Sequence, residues 1–261
     1  MGSAIKTLIF VGLLVGAGCF MGFVCQRIAE NYELLFSPSI DLLYLGLWFF
    51  GAAVAVAITA GLAALLLRPF ALVALAFALS ALGLLLLWEF SVVSGIVAGA
   101  FFLVGLLFSS GVIREVNSRI KFSVFHMMGS QAILLVVVTA IACAGLYAGY
   151  ADEIEREGFA LPPAIVDVIT DALEDTGMTP AQIQVFEQQI ETTVAPYESY
   201  IPIGLAAIVF LPLSTVVLLL SWIPLLLLAL KFLLLRHFAV VGEVTETVEV
   251  TRFSLHKLEV E

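Results

Sequence analysis

Residues 42–113 read LLYLGLWFFGAAVAVAITAGLAALLLRPFALVALAFALSALGLLLLWEFSVVSGIVAGAFFLVGLLFSSGVI, and along this whole stretch only Arg68 and Glu89 carry charge. A helix rises 1.5 Å per residue and needs about 20 apolar residues to cross about 30 Å of hydrocarbon. The two charges divide the stretch into 42–67, 69–88 and 90–113, each of spanning length. Pro69 supports a corner at Arg68, because proline suits the first turn of a helix and disfavours helix in the residue before it. A single bent segment burying Arg68 would cost about 2.5–3.5 kcal/mol on insertion scales. These spans are therefore expected as short-looped hairpins.

Working outward, charge-free apolar runs at 7–25, 122–150 and 201–230 bring the expected spans to six. Composition agrees. The 261 residues are 62% hydrophobic and 12% charged, with a mean hydropathy of +1.14, whereas soluble domains are about 25% charged. A chain of this length cannot hide so much apolar surface from water. The predicted fold class is all-α, a polytopic transmembrane bundle with the lipid bilayer as its first partner.

The net charge of −10 is local. Residues 150–200 hold eleven acids against Arg156 alone, and elsewhere acids and bases balance. Nucleic acid is excluded as an expected partner. Cys19, Cys25 and Cys143 form no CxxC pair and no even framework, so neither a metal site nor a disulfide scaffold is implied.

Lysine and arginine set the orientation. With the amino terminus in the cytoplasm, Lys6, Arg68, Arg114, Arg119, Lys121, Lys231, Arg236, Arg252 and Lys257 fall inside, and only Arg27 and Arg156 fall outside. Tyr32, Tyr44, Tyr147, Tyr150, Tyr197 and Tyr200 all then lie at or near outer ends, where an amphipathic ring favours the interface. Both termini are expected in the cytoplasm of a cell-membrane protein. The first span, preceded by Lys6, is expected to stay as a signal anchor, since the cleavage-like run Gly16 to Cys19 lacks a large aliphatic residue at its start.

Helices in lipid associate through small residues. Such residues recur four apart at Gly12 and Gly16, Gly18 and Gly22, Ala53, Ala57 and Gly61, Gly95 and Gly99, and Ala144 and Ala148. Each is expected to be a packing seam within the chain rather than a dimer contact.

Residues 151–200 predict an acidic extracytoplasmic domain of two amphipathic helices. The first spans about 162–176, with an apolar stripe through Ile165, Val168, Ile169, Ala172 and Leu173. The second opens on Thr179, Pro180 and Gln182 and carries Ile183, Phe186, Ile190 and Val194 on one face. Asp167, Asp171 and Asp175 stack on one helical face, read first as a solvated face and, as the functional alternative, a surface for a basic protein partner. A straight helix cannot wrap oxygens around calcium, so no metal is expected.

Residues 201–238 are too long for one perpendicular span. Pro202, Pro212 and Pro224 are the expected breaks, with the stretch after Pro224 lying along the inner surface and Lys231 and Arg236 snorkelling; a tilted continuous helix is the alternative. The tail, 239–261, is rich in strand formers from Val244 to Phe253, and is expected to fold into a small hairpin, to stay disordered, or to add to a sheet on a partner.

Chemistry is sparse. The spans hold no ionisable group at mid-depth, no HExxH and no phosphate loop, and Ser130, Ser214 and Ser221 lack a base at a recognisable spacing. No enzyme activity and no cofactor is expected. A substrate path could use Pro212, Ser214 and Thr215, where a broken helix would free backbone groups, with His126 as a proton carrier. The favoured function is a non-enzymatic scaffold or assembly subunit, and the alternative is a small permease or channel.

Overall fold

The computed structural model describes residues 3–35, 39–67, 69–118, 127–157 and 195–237, with positions 170, 182, 185, 186, 189, 192 and 193 between them. Among these the chain is helical: α1 Ser3–Glu30, α2 Ile40–Leu66, α3 Phe70–Leu87, α4 Val92–Ser118, α5 Met128–Glu157, α6 Ile201–Leu219 and α7 Trp222–His237. The first six are long and apolar enough to cross a bilayer. Glu89 falls between α3 and α4, and Arg68 lies outside the described residues. The eighteen residues of α3 place its ends about 27 Å apart.

Local chemistry sets the ends. Ser39 opens α2, its hydroxyl accepting from the Leu42 amide at 3.3 Å. Ser91 and Ser94 cap α4 reciprocally. The Ser94 amide donates to Ser91 Oγ at 3.1 Å and the Ser91 amide to Ser94 Oγ at 2.9 Å, which satisfies two amides that the first turn would leave bare. Asn31 closes α1 by donating to the Arg27 carbonyl at 2.8 Å. Gln26 then pins that end to the next corner, accepting from the Glu89 amide at 3.0 Å.

The order of packing departs from the order of the chain. α2 lies at the centre, against α1, α4, α5 and α7. Its spanning window is 67% buried, against 11% for α6, which among the helices packs chiefly on α5. α2 and α3 are joined by the short connection expected, yet the two helices scarcely touch. α3 lies instead between α1 and α4.

Glycine explains the preference. A methyl group on Gly18 would overlap the Ser80 carbonyl, and one on Gly22 the Leu84 carbonyl. Facing them, Gly83 is where a methyl would meet Cys19 Sγ at 2.8 Å. The α1 and α3 backbones therefore approach as only side-chain-free positions allow, and Ser80 adds a buried hydrogen bond to the Leu14 carbonyl at 2.8 Å. On another face of α1, methyl groups on Gly145 and Gly149 of α5 would run into the carbonyls of Cys25 and Ala29.

The expected seams divide accordingly. Gly18 and Gly22 pack within the chain, and Ala53, Ala57 and Gly61 are buried, with Gly61 against Leu228 of α7 and Met127. In α5 the closest approach belongs to Gly145 and Gly149, one position on from Ala144 and Ala148. A methyl group on Gly12, Gly16, Gly95 or Gly99 would meet nothing within 4 Å, so among the described residues these two pairs are not seams.

Two boundaries also shift. α5 continues through Glu157, beyond the apolar run that ends at Tyr150, and its last turns carry an exposed Arg156–Asp152 pair at 2.9 Å. The sixth segment breaks at Leu220–Ser221, not at Pro212, which sits inside an uninterrupted α6. Pro224 occupies the first turn of α7, where a missing amide costs nothing, so the helix break comes just before it. The helix is interrupted there rather than continuous. The expected external helices lie mostly outside the described residues, although Thr170, Gln182, Val185, Phe186, Gln189, Thr192 and Thr193 are each helical. The strand-prone tail lies wholly outside them.

Replacing Gly22 by leucine is expected to destabilise the bundle by about 1–3 kcal/mol or more, because a backbone carbonyl cannot move aside. The same change at Gly95 should be near neutral. Thermal unfolding of both variants in one detergent checks the pair.

Candidate functional site

The residues singled out for a substrate path do not converge on an interior space. Pro212 and Thr215 are exposed on α6 and Ser214 is half-buried. Both hydroxyls are used locally, Ser214 Oγ and Thr215 Oγ1 each donating to the Leu211 carbonyl at 2.9 Å. His126, Asp167, Asp171 and Asp175 lie outside the described residues.

Most buried polar side chains also turn to backbone. Thr59 donates to the Ala55 carbonyl at 2.7 Å, Ser109 to Gly105 at 2.8 Å, Thr139 to Leu135 at 2.9 Å and Ser94 to Ser91 at 3.0 Å. Each hydroxyl is satisfied without water. Cys25 Sγ lies 3.7 Å from the Ile141 carbonyl, and Cys19, Cys25 and Cys143 are all free thiols. Among the described residues no three His, Cys, Asp or Glu side chains group as a metal would require.

Gln131 is the exception. It is fully buried near the start of α5, and neither Oε1 nor Nε2 has a partner. A search confined to ionisable groups passes over it, since its amide is neutral. The available signal was an amide in an apolar run, one residue after Ser130, whose hydroxyl lies against Gly111 of α4.

Among the described residues a sizeable concavity lies between α1 and α2. It is a groove of about 510 Å³ walled by Ile9, Gly12, Gly16 and Phe20 on α1 and by Ala55 and Thr59 on α2, with Lys231 of α7 at its rim. Its depth comes from Gly12 and Gly16, the glycines that no neighbour covers. Among the described residues, no carboxylate pairs with Lys231.

At the other end of the bundle, Tyr32 packs on Tyr150 with ring centroids 5.2 Å apart. Burial pushes the Tyr32 phenol above its ordinary value, and a hydrogen bond to the Glu153 carboxylate, whose charge also opposes a phenolate, raises it further. Folding thus favours the protonated phenol. The resulting stabilisation is complete below the ordinary phenol value of about 10 and declines as pH rises above it.

Compared with protein-family models, characterised proteins and solved structures, the chain finds no match in any of the three. Function must be argued from its own residues.

Two measurements test the buried groups. Gln131→Leu, similar in volume, is expected to raise thermal stability by about 1–3 kcal/mol, the cost of an unsatisfied buried amide; a fall would mean that the amide has a partner in the native protein. In an alkaline absorbance titration, Tyr32 should contribute to a late-ionising component, which Tyr32→Phe should diminish.

Proposed function

We propose that this chain is a multi-pass component of the cell membrane, with both termini in the cytoplasm, that acts as a non-enzymatic scaffold or assembly subunit. The observation that carries this is the dry interior. Thr59, Ser94, Ser109 and Thr139 spend their hydroxyls on their own helices and Ser80 spends its hydroxyl on α1, so that among the described residues, Gln131 apart, these buried groups offer no polar lining of the kind a permeant solute needs. Helix α6 adds support. It leans chiefly on α5, and Ile203, Ile208, Leu211 and Leu219 face outward. The permease alternative needs Pro212, Ser214 and Thr215 to line a cavity, and their outward position does not favour it.

Under this proposal the acidic segment, including Asp167, Asp171 and Asp175, meets a basic protein partner outside the membrane, and residues 239–261 meet another inside. The orientation rests on the nine-to-two asymmetry of lysine and arginine. No enzymatic role is assigned to His126 or the cysteines.

Two results are expected in native membranes. A membrane-impermeant thiol reagent should label Thr170→Cys in intact cells and Ser254→Cys only after permeabilisation. Gentle solubilisation of the full chain should also bring down a partner in fixed stoichiometry, and the triple change D167N, D171N and D175N should weaken that association at least tenfold. Recovery of the chain alone, after crosslinking in intact cells as well, would remove the assembly role. A reversed labelling pattern would overturn the orientation.

A further inference from the structure

The groove between α1 and α2 has dimensions that bear on its occupant. From Ile9 to Phe20 along α1 is about 16 Å at 1.5 Å per residue, close to half of a hydrocarbon core about 30 Å thick. It is as long as one leaflet is deep. Its walls are apolar apart from Thr59, whose hydroxyl is already committed to its own helix.

Lys231 enters from the end of the bundle that carries Lys6. One turn earlier on α7, Leu228 packs on Gly61 beside Met127, close to where α2 ends and α5 begins. A lysine there keeps its stem on apolar surface and its ammonium at headgroup level. An apolar trough one leaflet long, closed at its polar end by an unpaired cation, is complementary to an amphiphile with a single anionic head.

We propose that this groove binds an acidic phospholipid, one acyl chain lying over Gly12 and Gly16 and the phosphate meeting the Lys231 ammonium. A second copy of the chain fits less well. The first turn of its α1 carries no acid that could meet Lys231 at the rim. The inference does not depend on the scaffold role proposed above.

The test uses the full chain in nanodiscs of equimolar phosphatidylcholine and phosphatidylglycerol, with retained lipid read by native mass spectrometry after release. The wild type should hold phosphatidylglycerol in preference to phosphatidylcholine. Lys231→Gln should cut that preference about fivefold, as expected for one lysine near an anionic surface, and Lys231→Arg should restore it. Gly16→Leu, which grows into open space, should abolish retention of both lipids without lowering the melting temperature. Equal retention of phosphatidylglycerol by the wild type, Lys231→Gln and Gly16→Leu would overturn the proposal. So would a dimer that Gly16→Leu dissociates while lipid retention is unchanged.

Discussion

The closest backbone approaches in this bundle are made on α1, which holds α3 and α5 and lies against the central α2. In lipid there is little hydrophobic gain from setting one apolar helix against another, so association depends on how closely main chains approach. α1 meets α3 through Gly18 and Gly22 and meets α5 through the carbonyls of Cys25 and Ala29, which Gly145 and Gly149 leave room for. Dispersion falls steeply with separation, so four missing side chains decide which helices are neighbours. The weak contact between α2 and α3 follows, because α3 is already held on α1.

Such packing leaves little space for water, and the polar side chains conform to that. Hydroxyls donate to carbonyls of their own helix, or to α1 in the case of Ser80, so that burial does not strand them. What chemistry the protein offers is then displaced to its margins: the Tyr32–Glu153 contact at one end, the Lys231 rim at the other, and the outward face of α6. Gln131 stands against this pattern, an amide enclosed in the bundle without a partner.

The six spanning helices were legible from charge spacing, because the bilayer imposes one length on every crossing and excludes ionised groups from its middle. The seams were legible only in part. Period-four spacing marks a stripe without saying which way it faces, so Gly18 with Gly22 and Gly12 with Gly16 look alike in sequence, yet one pair is packed and the other open. In α5 adjacent stripes compete, and the closest contact fell to glycine rather than to the neighbouring alanines. Proline misled for a related reason. Pro212 removes one hydrogen bond and α6 absorbs the loss, whereas Pro224 marks the beginning of a helix, so the break precedes it. Of the candidate site, the groove was invisible in sequence because it depends on what fails to cover Gly12 and Gly16.

The contact between Ala29 and Gly149 joins positions 120 residues apart. At about 5–20 residues per second of synthesis, the carbonyl edge of α1 waits roughly 6–24 s in the membrane before the helix that covers it has been made. Throughout that interval the nascent chain presents a bare backbone strip to the bilayer, and any chaperone or translocation machinery that shields it must release it as α5 arrives.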